Sequence, residues 1–249
     1  MADNEFPVHL FIIGGILIVF IIAALNNEKA KFKRRLKKSP LKKIGDIQDG
    51  EVVRFVGRVE FIDEPIIAPL SFRPSAFYYV EVEKKVKSGK SSTWRTIIKE
   101  QRRAKFAIRD ENGIALIDQE HFKSLVVMDE RHSSGTFNDA TEELEAFLNS
   151  HGYQSEGSFG FNKTLRYHEG VLEKDETVAV LGQGHWIAPS ELDLDLPDEK
   201  ILVMSPPPNE PLYISDEPEM TSLPDQVKKE KRKKRTIRRN EKRNGRYLK

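Results

Sequence analysis

An uncharged apolar stretch near the N-terminus constrains this chain more than any other feature of its sequence. Residues Leu10 to Leu25 read LFIIGGILIVFIIAAL, and Val8 and His9 extend the stretch to roughly the length that spans the hydrocarbon core of a bilayer. A helix buried in a protein core would show a polar face somewhere in its turns, and LFIIGGILIVFIIAAL has none. We therefore expect a single transmembrane helix over residues 8–25.

The charges on the two sides of this span predict its orientation. Asp3 and Glu5 precede it, whereas a basic juxtamembrane stalk follows it over residues 26–40. A cleaved signal peptide would carry its positive charge before the apolar stretch, so the order found here favours a permanent anchor. The positive-inside rule then places the N-terminus outside and the remaining chain in the cytoplasm. The stalk residues that we expect to contact anionic lipid headgroups are Lys33, Arg34, Arg35, Lys37 and Lys38.

Short apolar segments separated by Gly, Pro and Asp dominate residues 41–216. They are rich in β-branched and aromatic residues, which is typical of strands. The predicted strands are Val52–Phe61, Ala76–Val82, Thr93–Lys99, Ala104–Ile108, Ile114–Ile117, Thr177–Leu181, Ile201–Met204 and Leu212–Ser215, with a hairpin turn over Asp110–Gly113. The pattern predicts a mainly β (α+β) domain, antiparallel and barrel- or sandwich-like, with one or two helices. The strand order stays open, since a barrel, a sandwich and an open sheet fit equally well.

One helix is expected within this β-rich region, in the segment DATEELEAFLNSHG. Asp139 and Glu142 have the spacing of a capping box, and Gly152 suits the position after the last turn. The apolar side chains that form one stripe are Leu144, Phe147 and Leu148. We expect this helix to cover one face or one end of the sheet.

Residues 217–249 predict a disordered tail that is first acidic and then basic. From Lys228 onward Lys and Arg dominate, and no apolar periodicity is present. Such a run attracts any polyanion, so anionic lipid, RNA and an acidic protein are all candidates. A tether beside a negative leaflet favours lipid, and the lack of aromatic residues other than Tyr247 argues against base recognition. The tail residues expected to contact lipid are Lys231, Arg232, Lys233, Lys234 and Arg235.

The absence of cysteine excludes several classes of chemistry for this chain. Thiolate zinc sites, iron–sulfur clusters, disulfides and Cys nucleophiles all require residues that it lacks. The six His residues form no ligand pair of the H-E-x-x-H kind. His132, Ser133 and Ser134 lie in the polar segment DERHSSG, which we interpret as a surface loop and not as part of a hydrolase triad. Gly182 and Gly184, in LGQGHW, predict a turn after a strand, because the third Gly of a dinucleotide site is missing.

Six short pieces of the sequence together resemble a known domain. They are VGRVE, the APLS turn followed by FYYVEVEK, Trp94, AKFAIRDENGIALID, YHEGVLEKDETVAVLG and ILVMSPPPNEPLYIS. In this order they resemble the GIDE domain, the β-rich region that precedes the RING in the mitochondrial ubiquitin ligases called mulan or MAPL. The domain also occurs in bacterial and archaeal membrane proteins. The resemblance implies structural and not catalytic roles for Gly57, Pro69, Trp94, Asp110, Glu169 and Gly182.

Two departures from this family shape the functional expectation. The family usually has a second membrane span after the position of Ser215, whereas here DEPEMTSLPDQ and the basic tail follow, and no RING is present. RING-less versions occur in prokaryotes, so we expect the inner membrane of a prokaryotic cell. We expect a non-catalytic protein-binding or scaffold module without cofactor, metal or small-molecule substrate. The alternatives are a subunit of a ubiquitin-transferase system whose catalysis another chain supplies, and an RNA or ribosome binder acting through the tail.

Overall fold

A computed structural model describes residues 27–117, 122–134, 141–155, 163–194 and 200–222. The described part is mainly β, as the sequence predicts. Its strands are β1 (Glu51–Phe61), β2 (Ile66–Ile67), β3 (Pro74–Ser75), β4 (Phe77–Ser88), β5 (Ser91–Arg103), β6 (Phe106–Arg109), β7 (Ile114–Ile117), β8 (Phe122–Leu125), β9 (Glu130–Ser134), β10 (Leu165–Leu172), β11 (Thr177–Ile187), β12 (Ile201–Ser205) and β13 (Leu212–Ser215). Its helices are α1 (Glu28–Lys38), α2 (Glu142–Ser150) and α3 (Pro218–Thr221), with 3-10 turns at Ile44–Asp46 and Pro189–Leu192.

The predicted membrane span at residues 8–25 lies outside the described residues. Among the helices that the structure does describe, none is long and apolar enough to cross a bilayer.

Five strands close into a small barrel. Strand β1 pairs with β11 along Glu51–Arg58 and with β6 along Arg58–Phe61. Strand β6 pairs with β7, β7 with β12, and β12 with β11. All of these pairs are antiparallel except β7 with β12. The ring order β1-β6-β7-β12-β11, with these directions, is that of a Greek-key barrel of the OB type. The sequence left a barrel, a sandwich and an open sheet undecided, and these five strands form the barrel.

Two insertions into this barrel build a second sheet. The chain between β1 and β6 supplies β4 and β5, and the chain between β7 and β11 supplies β9 and β10. These strands pair antiparallel in the order β5-β4-β10-β9. Strand β10 accompanies β4 only as far as Lys84, so the tip of the β4–β5 hairpin extends beyond the rest of the sheet. Strands β13 and β8 pair in parallel and lengthen the barrel wall beside β11.

Alternating side chains of β1 separate the inside of the barrel from its outside. Val53 and Phe55 are fully buried in the interior core, whereas Val52 and Val56 face a cluster on the outer surface. Helix α1 covers that outer cluster. Its side chains Phe32 and Leu36 are buried against Ala179, Leu181, Tyr213 and Met220. Residues 28–38 of the expected stalk are therefore a helix that belongs to the fold of the domain.

The fold also continues past Asp216, where the sequence places the start of the tail. Residues Pro218–Thr221 form α3, and Met220 is fully buried. Glu217 pairs with Lys29 at 3.0 Å and also with Lys33. We call this pairing of the two helices the α1–α3 clasp. The tail boundary at residue 217 is thus too early by about one helical turn, and residues 223–249 lie outside the described part.

Strand β9 corrects the interpretation of DERHSSG as a surface loop. Residues Glu130–Ser134 pair with Leu165–Glu169 of β10 in an unbroken antiparallel ladder. The sequence does not predict this strand, because its polar side chains give no apolar alternation. The N-cap of helix α2 lies two residues after the predicted one: Thr141 accepts a hydrogen bond from the Leu144 N–H at 3.4 Å. Asp139 lies outside the described residues.

The prediction of a turn at LGQGHW is also wrong, because both glycines lie inside β11. Gly182 sits where β11 changes its partner from β13 to β12. A Cβ atom on Gly182 would lie 2.8 Å from the Ser205 carbonyl oxygen and 2.6 Å from Leu212. The residue is glycine because neighbouring strands approach too closely for a side chain, and not because the chain turns.

Candidate functional site

The second sheet has one covered face and one open face. Helix α2 covers the first, where Leu148, Tyr167 and Val80 are fully buried. Strand pairing places the alternate side chains on the other side of the sheet. We call that side the open face; its exposed members include Lys85, Thr96, Lys99 and Gln101.

Four side chains form a connected cluster on the open face. Arg166 of β10 pairs opposite Glu83 of β4, and its guanidinium is ion-paired with the Glu83 carboxylate. The same guanidinium lies over the ring of Trp94 at 4.3 Å from the ring centre. His168 Nε2 lies 3.6 Å from the same Glu83 carboxylate. We refer to these four residues as the Trp94 cluster.

The electrostatics of the Trp94 cluster hold its charges in place. The hydrogen bond from Arg166 lowers the pKa of Glu83, an effect that outweighs partial burial of the carboxylate. The same bond raises the pKa of Arg166. The guanidinium is therefore fixed between a carboxylate and an aromatic ring, an arrangement in which its flat faces and its N–H groups are both used.

The open face continues toward the barrel through two further cross-strand contacts. Thr96 donates a hydrogen bond to Glu81 at 2.9 Å, and the Lys99 ammonium lies 5.6 Å from the centre of the Tyr79 ring. Burial raises the pKa of Tyr79 to about 12, and the nearby Glu81 carboxylate adds to the effect. The Tyr79 hydroxyl is thus neutral at physiological pH and can donate or accept hydrogen bonds.

A different trio joins the covered face to helix α2. The Tyr78 hydroxyl donates to Glu100 at 2.5 Å, and His151 Nε2 lies 2.7 Å from the other oxygen of that carboxylate. Burial would raise the pKa of Glu100, but these two hydrogen bonds lower it on balance. The trio connects β4, β5 and the C-terminal end of α2. Both Glu100 oxygens already contact side chains of the domain, so the trio has a structural role.

Glu169 proves to be a buried anchor of the turn before β3. It is fully buried, and its two carboxylate oxygens accept hydrogen bonds from the Leu70 and Ser71 N–H groups, each at 2.9 Å. These amides belong to the APLS turn that also contains Pro69. Hydrogen bonds between a buried carboxylate and backbone donors fix the turn to β10.

Gly57 and Asp110 occupy the point where β1 changes its partner from β11 to β6. A Cβ atom on Gly57 would lie 2.6 Å from the Arg109 carbonyl oxygen. Asp110 accepts hydrogen bonds from the Ile44 N–H at 2.8 Å and the Asn112 N–H at 2.7 Å. Of the six family-motif residues, Trp94 is the one that the structure brings into the Trp94 cluster.

Several basic residues of α1 form ion pairs with carboxylates elsewhere in the domain. Lys33 and Lys37 pair with Glu219, and Arg35 pairs with Glu210 at 2.6 Å. Arg34 Nε donates to the Ala30 carbonyl at 3.3 Å, and Lys38 is exposed. The tail residues Lys231, Arg232, Lys233, Lys234 and Arg235 lie outside the described part of the chain.

No candidate metal site is present in residues 27–117, 122–134, 141–155, 163–194 and 200–222. No group of three or more His, Asp or Glu side chains within them is arranged to hold a metal ion. The comparisons with known proteins add no assignment: no family model, no curated protein and no solved structure matches this chain.

From the sequence alone, Trp94 is predicted to have a structural role, and no binding role is predicted for Arg166, Glu83 or His168. The polar residues Arg166 and His168 alternate with Leu165 and Tyr167 along β10, and this period-2 pattern is the sequence signal for them. The contacts of Arg166 and His168 with Glu83 could not be predicted from this pattern, because the register of β10 against β4 joins segments that are remote in the sequence.

Proposed function

We propose that this chain is a membrane-anchored, non-catalytic protein-binding module of the GIDE type, which recognises a partner protein at the cytoplasmic face of the membrane. The Trp94 cluster carries this proposal. A Trp, an Arg and an ionised Glu are held in fixed contact on an exposed sheet face, 4.3 Å separating the guanidinium from the Trp94 ring.

The composition of the open face suits a protein partner. Trp and Arg are the residues most enriched at interaction hot spots, and strands hold them more rigidly than loops do. Trp94 is half-buried by Arg166 and so presents a flat apolar surface without a large entropic cost on binding. The open face is a surface of strands and not a deep cavity, which favours a macromolecule over a small ligand.

The edge of β5 suggests how the partner binds. Among the described residues β5 pairs with β4 alone, so its outer edge offers main-chain N–H and C=O groups. An extended segment of the partner can add to this edge as a further strand. Side chains of that segment then meet Trp94 and Thr96 on the open face.

Photo-crosslinking in intact membranes tests the proposal. The full-length chain carries a photoreactive residue at Ser92, which lies on the same face of β5 as Trp94, and the captured protein is identified in the parent and in Trp94→Ala. The matched control is Arg95→Ala, because residue 95 follows Trp94 on the same strand and points to the opposite face. We expect capture of one protein that Trp94→Ala abolishes and Arg95→Ala retains.

The alternatives give different results in the same experiment. Capture of a RING- or E2-like protein by the open face would favour the ubiquitin-transferase subunit. Capture of RNA or ribosomes that is lost on truncation after Val227, and is indifferent to Trp94→Ala, would contradict the protein-binding module. Melting temperatures of both Ala variants, measured in detergent, establish that they remain folded.

A further inference from the structure

We propose that a pocket between α1 and the base of the second sheet binds the phosphate headgroup of an anionic phospholipid in the adjacent leaflet. The proposal rests on the membrane anchoring proposed above. It assigns lipid contact to residues other than those that the sequence suggests.

The pocket has a volume of about 420 Å³ and joins three elements that are distant in sequence. The first turn of α1 forms one wall, β8 forms another, and the barrel end of the β4–β5 hairpin forms the third. The lining side chains on which the proposal rests are Lys29, Phe32, Tyr79, Lys99, Phe122 and Lys123. We call this space the lysine pocket.

The charge of the lysine pocket favours an anion. Three ammonium groups line it, on Lys29, Lys99 and Lys123, against one carboxylate, that of Glu28. Lys99 contacts the Tyr79 ring, at 5.6 Å from its centre. A phosphate group placed among three lysines from three elements would be attracted by all of them.

The internal pairs of these lysines are weak enough to yield to a phosphate. Lys123 lies 3.3 Å from Glu28, and the two side chains are 54% and 73% exposed. Lys29 lies 3.0 Å from Glu217 and is itself 58% exposed. Ion pairs at such exposure contribute little, so an anion of higher charge density can replace Glu28 beside Lys123.

Apolar side chains complete the lysine pocket on its inner side. Phe32 of α1 and Phe122 of β8 line it and are largely buried, at 6% and 7% exposure. Leu125 extends this apolar wall. Lysines beside an apolar wall match a lipid, whose phosphate is joined to a glycerol and acyl chains, better than they match a free phosphate ion.

The position of the pocket relative to the anchor suits a headgroup. Lys29 follows Leu25, the last residue of the predicted span, by four residues. Four residues rise about 6 Å in a helix and reach about 14 Å when extended. The headgroup layer is roughly 5–7 Å thick on each side of the hydrocarbon core. The first turn of α1 therefore begins within or just beyond the headgroups.

A larger groove lacks this charge bias and serves as a comparison. It has a volume of about 1090 Å³ and follows β1. Its cations are matched by carboxylates, as in the pairs of Lys43 with Glu111 and of Arg109 with Glu60. An anion would meet repulsion there, so the lysine pocket is the better candidate despite its smaller volume.

Crosslinking to a labelled lipid tests the proposal with the full-length chain. The protein is placed in phosphatidylcholine nanodiscs that contain a small fraction of phosphatidylglycerol with a photoreactive headgroup. We expect crosslinks in peptides that contain Lys29, Gln101 and Ser124. The variant Lys99→Gln/Lys123→Gln should reduce their yield several-fold. The charge-matched control Lys87→Gln/Lys90→Gln, at the hairpin tip, should leave it unchanged.

Three outcomes would overturn the lipid assignment. The first is that the double variant leaves the crosslinks unchanged, and the second is that crosslinks occur only after Val227. The third is that inorganic phosphate displaces the lipid, which would identify the bound anion as a phosphate from solution. Failure of the anchoring itself is distinguished by alkaline carbonate extraction of membranes, which would release the chain. Failure of the protein-binding module is distinguished with Lys123→Gln alone, because Lys123 lies on β8 and not on the open face. This variant should weaken the lipid crosslink and retain the Trp94-dependent crosslink.

Discussion

The Asp216 carboxylate accepts the Val127 N–H through both of its oxygens, at 2.8 and 3.0 Å. This contact joins the end of β13 to the segment after β8. Burial raises the pKa of Asp216 to about 7, although the Val127 hydrogen bond opposes the shift, and the carboxylates of Glu176 and Asp129 add to it. Below about pH 7 the native state therefore holds a proton at residue 216 that the unfolded chain releases near pH 4.

Asp216 makes the free energy of unfolding dependent on pH. Between pH 4 and pH 7 the native state binds the additional proton, so this contribution to stability is complete below pH 4 and is lost as the pH rises toward 7. We expect Asp216→Asn to match the parent at pH 4 and to exceed it by up to about 4 kcal/mol at pH 8. Urea denaturation across this range measures the difference, and Asp193→Asn is the control. An equal effect at both pH values would contradict the prediction.

Glu83 has the opposite pH dependence because Arg166 lowers its pKa. Its contribution is present above the unfolded pKa of about 4.5 and is lost as the pH falls through the lower folded value. Arg166 is 36% exposed, so we expect Glu83→Gln to cost only about 0.5–1 kcal/mol at pH 7. Thermal unfolding at pH 7 and pH 3 measures this, with Glu81→Gln as the control on the same strand. A cost that persists at pH 3 would rule out the ion pair as its source.

Glu169→Gln should be more costly than any change on the open face. The Gln amide group can accept from one of the two N–H groups that Glu169 binds, and its own NH2 meets the other. We expect a loss of about 2–3 kcal/mol, since a buried donor is left without an acceptor. Hydrogen exchange should accelerate at Leu70 and Ser71 before the barrel strands exchange. Uniform acceleration across the barrel would instead indicate global destabilisation.

Gly182→Ala and Gly184→Ala should differ although both glycines lie in β11. The new Cβ atom at position 182 meets the Ser205 carbonyl oxygen at 2.8 Å, and a backbone atom cannot move without shifting its strand. At position 184 the nearest atoms belong to the Leu202 side chain, which can rotate. We expect costs of about 3 and about 1 kcal/mol, respectively. Urea midpoints measured in the same detergent compare the two, and equal costs would contradict the close backbone approach.

Helix α1 should contribute to stability mainly through its apolar side chains. Phe32 is 6% exposed and packs edge-on against Tyr213, with ring centres 5.1 Å apart. We expect Phe32→Ala to cost about 3 kcal/mol and Lys33→Gln below about 1 kcal/mol. Thermal unfolding in detergent gives both values. A negligible effect of Phe32→Ala would show that α1 is a stalk detached from the domain.

Strands with apolar alternation were the predictable part of this fold. The pattern predicts β1, β7 and β13 with nearly the observed bounds, and the turn over Asp110–Gly113 joins β6 to β7 as expected. In contrast, β8 (FKSL) and β9 (ERHSS) are short and show no clear apolar alternation, and they form because β13 and β10 supply their hydrogen-bond partners. Tertiary context of this kind is not encoded in the strand itself.

The Trp94 cluster was predictable only in part for a similar reason. Trp94 stands out in the sequence, but its neighbour Arg166 comes from the second insertion, which lies between β7 and β11 in the chain. Which polar residue of β10 meets which residue of β4 depends on the register between them, and β10 was not among the predicted strands. The lysine pocket likewise combines α1, the β4–β5 hairpin and β8, whose proximity follows from barrel closure.

The α1–α3 clasp determines how the domain responds to mechanical force. Lys29 and Lys33 of α1 are ion-paired with Glu217, which directly precedes α3. The first and the last helix of the described domain therefore lie side by side. Under the anchoring proposed above, a pull on the tail would reach α3 and be resisted first by this contact, in which Lys29 is 58% exposed. Such an exposed pair separates at low force. The five barrel strands would bear tension only after that separation, so the clasp would respond to a weak pull before the barrel is loaded.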